Sequence, residues 1–291
     1  MKPIIDQSSP ESSGGTALPP SGEATEATIS LSSDDAAVLS RCVFIIPVYN
    51  HAAAIAAVIN RALAFKRPLF VIDDGSTDAT PEALAGLSGI TVIRHPVNLG
   101  KGAALMTGFA AAAPLADWAI TIDADGQHDP NDALALIKAI PAGARPFIVG
   151  RRTQMLEKGA PWTSRWGRGF SNFWVWACSG LILSDTQSGF RVYPLPEVLR
   201  LNPRGRQFQF EVEVLVLAAW AKMKIIEVDI STRYRLPGQR ISHFQPGLDF
   251  WRNTAAFSRL LTKRVLLTRK LRAPKMNPSQ RKAGRGSFLY P

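Results

Sequence analysis

The chain has 291 residues, of which 46% are apolar and 20% charged, and its formal net charge is +11 at pH 7. This length and apolar content suit one α/β-sized domain with appendages. The positive charge argues against a nucleic-acid groove across the whole domain, because it is concentrated at one end. Residues 259–291 hold ten Lys or Arg and no acid, the first forty residues carry −5, and residues 41–258 carry only +6.

Residues 1–40 are predicted to form a disordered arm. Residues 8–35, SSPESSGGTALPPSGEATEATISLSSDD, are rich in Ser, Gly, Pro, Thr and acid and show no apolar periodicity. The opening MKPIIDQSSP has no basic start followed by an apolar run, so a secretory signal is not expected. Cys42 and Cys178 stand singly in apolar surroundings, which favours reduced, buried thiols in a cytosolic protein.

Short apolar strands alternate with helical segments in the first half of the chain beyond this arm. Helices follow the first four strands, and Thr80, Pro81 and Glu82 give one of them good start chemistry. Strands that are almost wholly apolar and alternate with helices predict a mostly parallel sheet covered on both faces. The fold class expected is therefore α/β, Rossmann-like, in a single domain. The predicted strands are residues 42–49, 69–72, 90–95, 118–123 and 146–150.

The regular alternation of strands and helices ends after Arg151. The predicted elements are a helix that contains residues 171–183, an extended segment at 185–193, a helix at 210–223 and a late strand at 224–235. We expect this half to add an acceptor-side wall to the same sheet. The aromatic residues of the first helix recur at helical spacing, which favours core packing over lipid contact. They are Phe170, Phe173, Trp174 and Trp176.

Polar residues follow three of the predicted strands. Asp73 and Asp74 end the second, Asn98 follows the third, and Asp123 and Asp125 end the fourth. Ligands of open α/β sheets bind beyond the carboxyl ends of the strands. Neighbouring carboxylates repel one another unless a cation lies between them, and hard oxygen ligands at i and i+2 suit Mg²⁺ or Mn²⁺ that bridges phosphate oxygens. Capping and turn formation are the structural alternative for these aspartates.

Other phosphate and catalytic motifs are absent from the sequence. The glycine groupings match neither the dinucleotide fingerprint nor the P-loop. Nucleophile-elbow and zinc signatures are also missing. His128 is either a residue that contacts and orients the metal ligands or a solvated loop residue. Asp129, before Pro130, is expected to cap a helix.

Six blocks in order give the sequence a resemblance to glycosyltransferase family 2, and most closely to the branch with the dolichyl- and polyprenyl-phosphate sugar synthases. The resemblance runs from about residue 42 to about residue 250. It implies a GT-A fold at residues 41–258, a nucleotide-sugar donor, Mg²⁺ or Mn²⁺, and inversion at the anomeric carbon. His51 departs from the family, which usually has an acid there that contacts the base. The blocks are PVYN (47–50), DDGSTDAT (73–80), NLGKGAALMTG (98–108), DADGQHDP (123–130), DTQSGFRVY (185–193) and FQFEVEVL (208–215).

The resemblance also implies roles on the donor side. Pro47 and Tyr49 would line the nucleoside pocket, and Asp74, with Asp73 beside it, would hold the base or ribose. Lys101 would lie near the nucleotide. The residues that would hold the metal and the diphosphate are Asp123, Asp125 and Gln127, together with Arg235 and Arg240 of a flexible basic loop that closes on the donor.

On the acceptor side, Arg151 and either Arg165 or Arg168 resemble the cluster that receives an acceptor phosphate. The SGFR element, Ser188, Gly189, Phe190 and Arg191, would shape the sugar pocket. The residues expected to act on the reacting groups themselves are Asp125, Arg151, Arg191 and Arg235.

The acceptor is left open between two classes. A lipid phosphate is already anionic and needs arginines to position it, whereas a hydroxyl needs a general base within ~3 Å. Glu211, Glu213 or Asp185 would have to be that base, and the sequence marks none of them clearly, which favours polyprenyl phosphate. A nucleotide-sugar-binding module without turnover is the non-enzyme alternative. A nucleotidyltransferase would need a glycine-rich basic loop where PVYNHAAA stands.

Residues 259–291 are predicted to form a basic, amphipathic tail. In SRLLTKRVLLTRKLR, residues 258–272, Leu and Val are interleaved with cations, a pattern typical of a helix on anionic lipid. No segment approaches the ~18 apolar residues of a spanning helix. We therefore expect peripheral contact with the cytoplasmic face of a membrane and no nucleic-acid partner; a solvated, frayed terminus is the alternative.

Overall fold

The computed structural model describes residues 31–153, 162–232, 254 and 257–264, with side chains in the second range from residue 167 onward. Seven strands form one sheet: β1 (Cys42–Val48), β2 (Leu69–Asp73), β3 (Thr91–Arg94), β4 (Trp118–Thr121), β5 (Phe147–Arg152), β6 (Arg191–Pro194) and β7 (Ile225–Ile230). The helices are α1 (Ser33–Ser40), α2 (Ala52–Leu63), α3 (Thr80–Ala85), α4 (Lys101–Ala112), α5 (Ala133–Lys138), α6 (Trp162–Ser179), α7 (Glu197–Leu201) and α8 (Gln209–Trp220), with a 3-10 turn at Pro130–Asp132 before α5.

The sheet has the strand order β3-β2-β1-β4-β6-β5-β7. Strand β6 runs antiparallel to β4 and β5, and the other pairs are parallel. Strands β5, β6 and β7 extend the sheet of the first half, so the predicted wall is confirmed as part of one sheet. The predicted α/β, mostly parallel, single-domain fold is also confirmed.

Two apolar clusters cover the two faces of the sheet. Side chains of α2, α3 and α5 form one, and those of α4, α6, α7 and α8 form the other. Strand β1 supplies both, because alternate side chains point to opposite faces: Val43 and Ile45 join one cluster, Phe44 and Ile46 the other. The central strands are therefore buried on both sides, which is why they appear in the sequence as continuous apolar runs.

Part of the predicted N-terminal arm is ordered, which corrects the boundary at residue 40. Ser32 and Asp35 form a capping box that begins α1, and Val38 and Leu39 pack against the core. Residues 1–30 lie outside the described part. Burial raises the pKa of the Cys42 thiol to about 12 and that of Cys178 to about 11, in agreement with the expected inert thiols.

Candidate active site

The carboxyl ends of β1, β2 and β4 bring the predicted donor-side residues to one edge of the sheet. The parallel pairing of β1 with both neighbours sets this arrangement. Pro47 is buried within β1, and Tyr49 is partly buried directly after it. The turns after β2 and β4 carry the aspartates.

Asp74 organises the entrance to helix α4. Its two carboxylate oxygens accept hydrogen bonds from the Leu99 amide at 2.9 Å, the Gly100 amide at 2.7 Å and His95 Nδ1 at 2.7 Å. Gly100 has a φ of 102°, and a β-carbon there would collide with Gln207. The carboxylate of Asp74 therefore holds the loop that positions Lys101, which differs from the predicted direct contact with base or ribose.

Asp73 is likewise turned inward. Its Oδ1 accepts a hydrogen bond from the Ser76 amide at 2.8 Å, and Arg94 Nε lies 3.3 Å from its other oxygen. Asn50 bridges to the same turn, since its Oδ1 accepts from the Thr77 amide at 2.8 Å. These contacts fix the DDGST turn against the end of β1, so Asp73 shapes the turn from within.

Lys101, Asp123 and Glu211 form an ionic cluster at the first turn of α4. Lys101 Nζ lies 2.6 Å from Asp123 Oδ1 and 2.5 Å from Glu211 Oε1. Burial alone would lower the pKa of Lys101, but the two carboxylates offset it and raise the pKa above its usual value. Burial alone would raise the pKa of Asp123. The positive charge of Lys101 outweighs this effect, so the pKa of Asp123 is lowered. Lys101 and Asp123 are therefore charged at neutral pH.

Asp125 makes fewer contacts than Asp123 among the described residues. Its Oδ1 accepts a hydrogen bond from the Gln127 amide at 3.0 Å, and its Oδ2 has no partner within the described part of the chain. No three His, Cys, Asp or Glu side chains in the described ranges form a metal site by themselves. Mg²⁺ is usually bound through one or two carboxylates, waters and substrate phosphates. Asp123 and Asp125 fit that donor set.

Gly189 touches the carboxylate of Asp123. Thr121 Oγ1 donates to the Gly189 carbonyl at 2.7 Å and holds this loop against the end of β4. A β-carbon on Gly189 would lie 2.6 Å from Asp123 Cγ and would overlap both carboxylate oxygens. The SGFR element and the DAD element therefore form one packed unit, and only glycine fits at the contact.

The close contact predicts the effect of Gly189→Ala. The methyl group should displace the Asp123 carboxylate and lower the transfer rate by about a hundredfold, since a shift near 1 Å can cost that much. Gly169→Ala is the matched control, because a β-carbon there has no neighbour within 4 Å among the described residues. Steady-state rates measured on both variants check the prediction, and equal rates would contradict it.

Arg191 does not lie where a substrate could reach it. The side chain is fully buried, and its guanidinium donates to the carbonyl oxygens of Ser188 at 2.6 Å, Thr186 at 2.9 Å and Glu211 at 2.9 Å. The predicted role on the reacting groups is corrected: Arg191 holds the loop before β6. Ser188 and Phe190 are also fully buried.

The two adjacent arginines of β5 have opposite surroundings. Arg151 is exposed and pairs with Asp229 at 2.5 Å, across β5 and β7. Arg152, which sequence reasoning passed over, makes a two-point contact with Asp185 at 2.6 and 2.9 Å. Burial would raise the pKa of Asp185, but hydrogen bonds and charge from Arg152 lower it, and Arg168 of α6 adds to this. The charges of Arg152 and Arg168 thus both act on Asp185.

His128 is buried beside the DAD turn. Its ring centroid lies 5.6 Å from that of Phe190, and its Nδ1 has no hydrogen-bond partner among the described residues. Burial lowers its pKa against the opposing charge of Asp123. The prediction that His128 is a solvated loop residue is therefore excluded.

Asp129 caps the following turn by accepting a hydrogen bond from the Asn131 amide at 3.0 Å, as predicted.

The remaining predicted residues are only partly covered. Gln127 is partly buried next to Asp125. Arg165 lies within α6, but its side chain is outside the described part, as are Arg235 and Arg240 entirely. Their roles stay predictions.

An open, mostly parallel sheet with paired aspartates at its carboxyl edge agrees with the GT-A fold expected from the sequence. The crystal structure of mannosyl-3-phosphoglycerate synthase from Rubrobacter xylanophilus shares this fold, with a TM-score of 0.54 over 82% of this chain and 79% of that one at 19% identity. A model of the family "Glycosyl transferase family 2" matches residues 43–199, more than half of the chain. The chain belongs to that family, and it is an enzyme of the glycosyltransferase class.

Two curated relatives narrow the resemblance within the family. UDP-N-acetylglucosamine–dolichyl-phosphate N-acetylglucosaminyltransferase of Methanococcus voltae is 31% identical over 65% of this chain and 84% of its own length. Dolichyl-phosphate beta-glucosyltransferase of Saccharomyces cerevisiae is 26% identical over 64% of this chain and 65% of its own length. The predicted similarity to the dolichyl- and polyprenyl-phosphate branch is confirmed.

Proposed function

We propose that this protein transfers a hexose or N-acetylhexosamine, with inversion, from a nucleoside diphosphate sugar to the phosphate of a polyprenyl-type lipid. The observation that carries the acceptor class is the state of the three carboxylates that could serve as a general base for a hydroxyl. Each of them is buried and paired with a cation. The pairs are Asp185 with Arg152, Glu211 with Lys101, and Glu213 with Arg259.

A paired, buried carboxylate is a poor base for an acceptor hydroxyl. Glu213 illustrates this: its Oε1 lies 2.5 Å from Arg259, and its Oε2 accepts from the Gly205 amide at 2.6 Å. A general base must also come within hydrogen-bond reach of the proton it removes. A phosphate acceptor avoids both requirements because it is already an anion, so positioning by arginines is enough. Arg151 and Arg168 are our candidates for that positioning.

The donor side follows from the carboxyl edge of the sheet. Pro47, Tyr49 and the turn held by Asp73 and Asp74 would frame the nucleoside. Asp123 and Asp125 would hold Mg²⁺ or Mn²⁺, which would neutralise charge on the diphosphate when bound. Lys101 would keep Asp123 oriented and add positive charge beside the departing group.

The enzyme would work at a membrane surface. No helix in the described ranges is both long and apolar enough to cross a bilayer. A lipid-linked acceptor with a nucleotide-sugar donor would still require contact with the cytoplasmic face of a membrane, and the ten cations of residues 259–291 suit anionic lipid there.

A matched pair of acceptors tests the acceptor class. Purified protein is incubated with UDP-N-acetylglucosamine, UDP-glucose or GDP-mannose, with Mn²⁺ or with EDTA, and with either a short polyprenyl phosphate or the polyprenol of the same chain length. We expect release of one nucleoside diphosphate that requires the phosphate-bearing lipid and the metal. NMR of the product from an α-linked donor should show a β-linkage.

Each alternative gives a different result in the same assay. Transfer to the polyprenol at a comparable rate would contradict the phosphate acceptor and restore the general-base candidates. Donor binding without release would favour a binding module, and release of pyrophosphate would indicate a nucleotidyltransferase.

A further inference from the structure

Two large aromatic side chains of α6 are exposed. Phe173 is 54% and Trp176 50% exposed, and their ring centroids lie 5.9 Å apart; we call this pair the aromatic patch. The other two aromatic side chains within residues 170–176 face inward. Trp174 stacks on Phe257 at 5.4 Å, and Phe170 meets the same ring edge-on at 6.3 Å. The predicted core packing is thus correct for half of the set, and the other half faces outward.

An aromatic pair on the polar side of a helix indicates an interaction surface. Helix α6 is apolar on its core side, so the aromatic patch makes it apolar on both sides over this stretch. Single exposed apolar residues need no explanation, but adjacent large aromatic rings mark surfaces that bind another molecule or a membrane. Trp in particular is favoured where one end of a side chain is in apolar surroundings and the other in water.

The basic end of the chain begins beside this surface. Residues 257–264 are helical and pack on α6, where Cys178 Sγ lies 4.0 Å from the Phe257 carbonyl oxygen. Arg264 donates to the carbonyl of Ala177, the neighbour of Trp176. Arg264 is one of ten cations between residues 259 and 291, a stretch without any acid. Aromatic side chains near Arg264, in a chain whose residues 259–291 carry ten cations, match an anionic bilayer, which offers apolar depth below a negative surface.

The same helix connects this surface to the acceptor site. Arg168, a candidate for the acceptor phosphate, lies five residues before Phe173 in α6. Five residues of helix span about 7–8 Å along the axis. Lipid bound by the aromatic patch would therefore lie close to this candidate residue for the acceptor phosphate.

We propose that Phe173 and Trp176 of α6 insert into the interface of an anionic membrane and dock the enzyme on its lipid-linked acceptor. The location of the acceptor rests on the proposed function, whereas the binding of lipid does not. The partner is the bilayer itself. The cations beyond Arg259 supply the attraction to negative charge, and the aromatic patch supplies the apolar anchor.

The first test uses vesicles and no substrate. Full-length protein is co-sedimented with phosphatidylcholine vesicles with and without phosphatidylglycerol. We expect binding that requires the anionic lipid and decreases with salt, and a fall of about tenfold or more in affinity for Phe173→Ser/Trp176→Ser, because two half-exposed rings lose their apolar contact. Trp176→Phe should retain most of the binding.

The matched control is Leu115→Ser, which removes another exposed apolar side chain, 65% exposed, outside the aromatic patch. It should bind vesicles like the wild type. Thermal denaturation of each variant checks that the fold is intact. Equal vesicle binding by Phe173→Ser/Trp176→Ser and wild type would overturn the proposal. So would a wild-type dimer that this double variant dissociates without any change in vesicle binding.

A second measurement separates this proposal from the proposed function. Transfer is measured to a short, water-soluble polyprenyl phosphate and to a long-chain one in vesicles. The double variant should keep the first rate and lose the second. If wild-type protein binds vesicles through the aromatic patch but transfers to neither acceptor, the proposed function fails and the docking surface stands.

Discussion

Asp125→Asn is expected to lower the rate of sugar transfer by about 10²–10³-fold, the range seen when one group that stabilises developing charge is removed. Asp125 follows β4 at the carboxyl edge, and its Oδ2 has no partner in the described ranges, so this oxygen is available to a cation. The amide keeps the shape of the side chain and still accepts the hydrogen bond from the Gln127 amide. The expected loss is therefore one of charge rather than of folding.

Two measurements accompany the rate. The Mn²⁺ concentration for half-maximal activity should rise in Asp125→Asn if this carboxylate holds the metal, and the midpoint of thermal denaturation without metal should change little. Asp129→Asn is the matched control, because Asp129 lies in the same loop and caps the turn at Pro130–Asp132. An Asp125→Asn enzyme with the wild-type rate and metal dependence would remove Asp125 from the proposed site.

The position of this site could be predicted because parallel strands end at the same edge. The apolar runs that became β1, β2 and β4 are bounded by polar residues, and the topology of alternating strands and helices brings those ends together. Asp74, Asp123 and Asp125 could therefore be assigned to one edge without a structure, whereas Lys101 was assigned through the family resemblance. Asp129 could be assigned as a cap, since an Asp before a Pro is typical of a helix start.

The inward contacts could not be predicted, because they depend on side-chain direction and on distant partners. Arg151 and Arg152 are adjacent in β5, and alternation sends them to opposite sides, but the sequence does not say which one meets Asp185. Arg151 was predicted to receive an acceptor phosphate and Arg152 had no predicted role, whereas the structure pairs Arg152 with the buried Asp185. The sequence held one indication of this. Alternate side chains of a strand point to the same face of the sheet, so Arg152 lies on the same face as the apolar Ile148.

Arg191 and Asp74 show the same limit. A charged residue in a family motif suggests contact with the substrate. Both side chains are buried, however, and form hydrogen bonds with backbone groups of the protein. Glu211 could not be matched to Lys101 because 110 residues separate them. Packing of the second half against α4, which the sequence does not encode locally, decides that pairing.

Lys101→Met is expected to lower the free energy of unfolding by about 3–5 kcal/mol, the usual cost of leaving a buried charge without its partner. Lys101 is the cation that Asp123 and Glu211 share, at 2.6 and 2.5 Å, and the Glu211 side chain is only 6% exposed. Methionine keeps the apolar stem of the side chain, so the loss reports the charge. Transfer activity should also fall, because Asp123 loses the group that orients it.

A second substitution decides between charge and packing as the cause. Lys101→Met/Glu211→Gln removes one of the two abandoned carboxylates and should recover about 1–3 kcal/mol of the lost stability, which is the range of coupling between contacting groups. Activity should stay low, since Asp123 is still unpaired. Urea denaturation gives the unfolding free energies, and Lys224→Met, at an exposed position, is the matched control. If the double variant is as unstable as Lys101→Met or less stable, Lys101 acts through packing, and the ionic cluster does not hold Asp123.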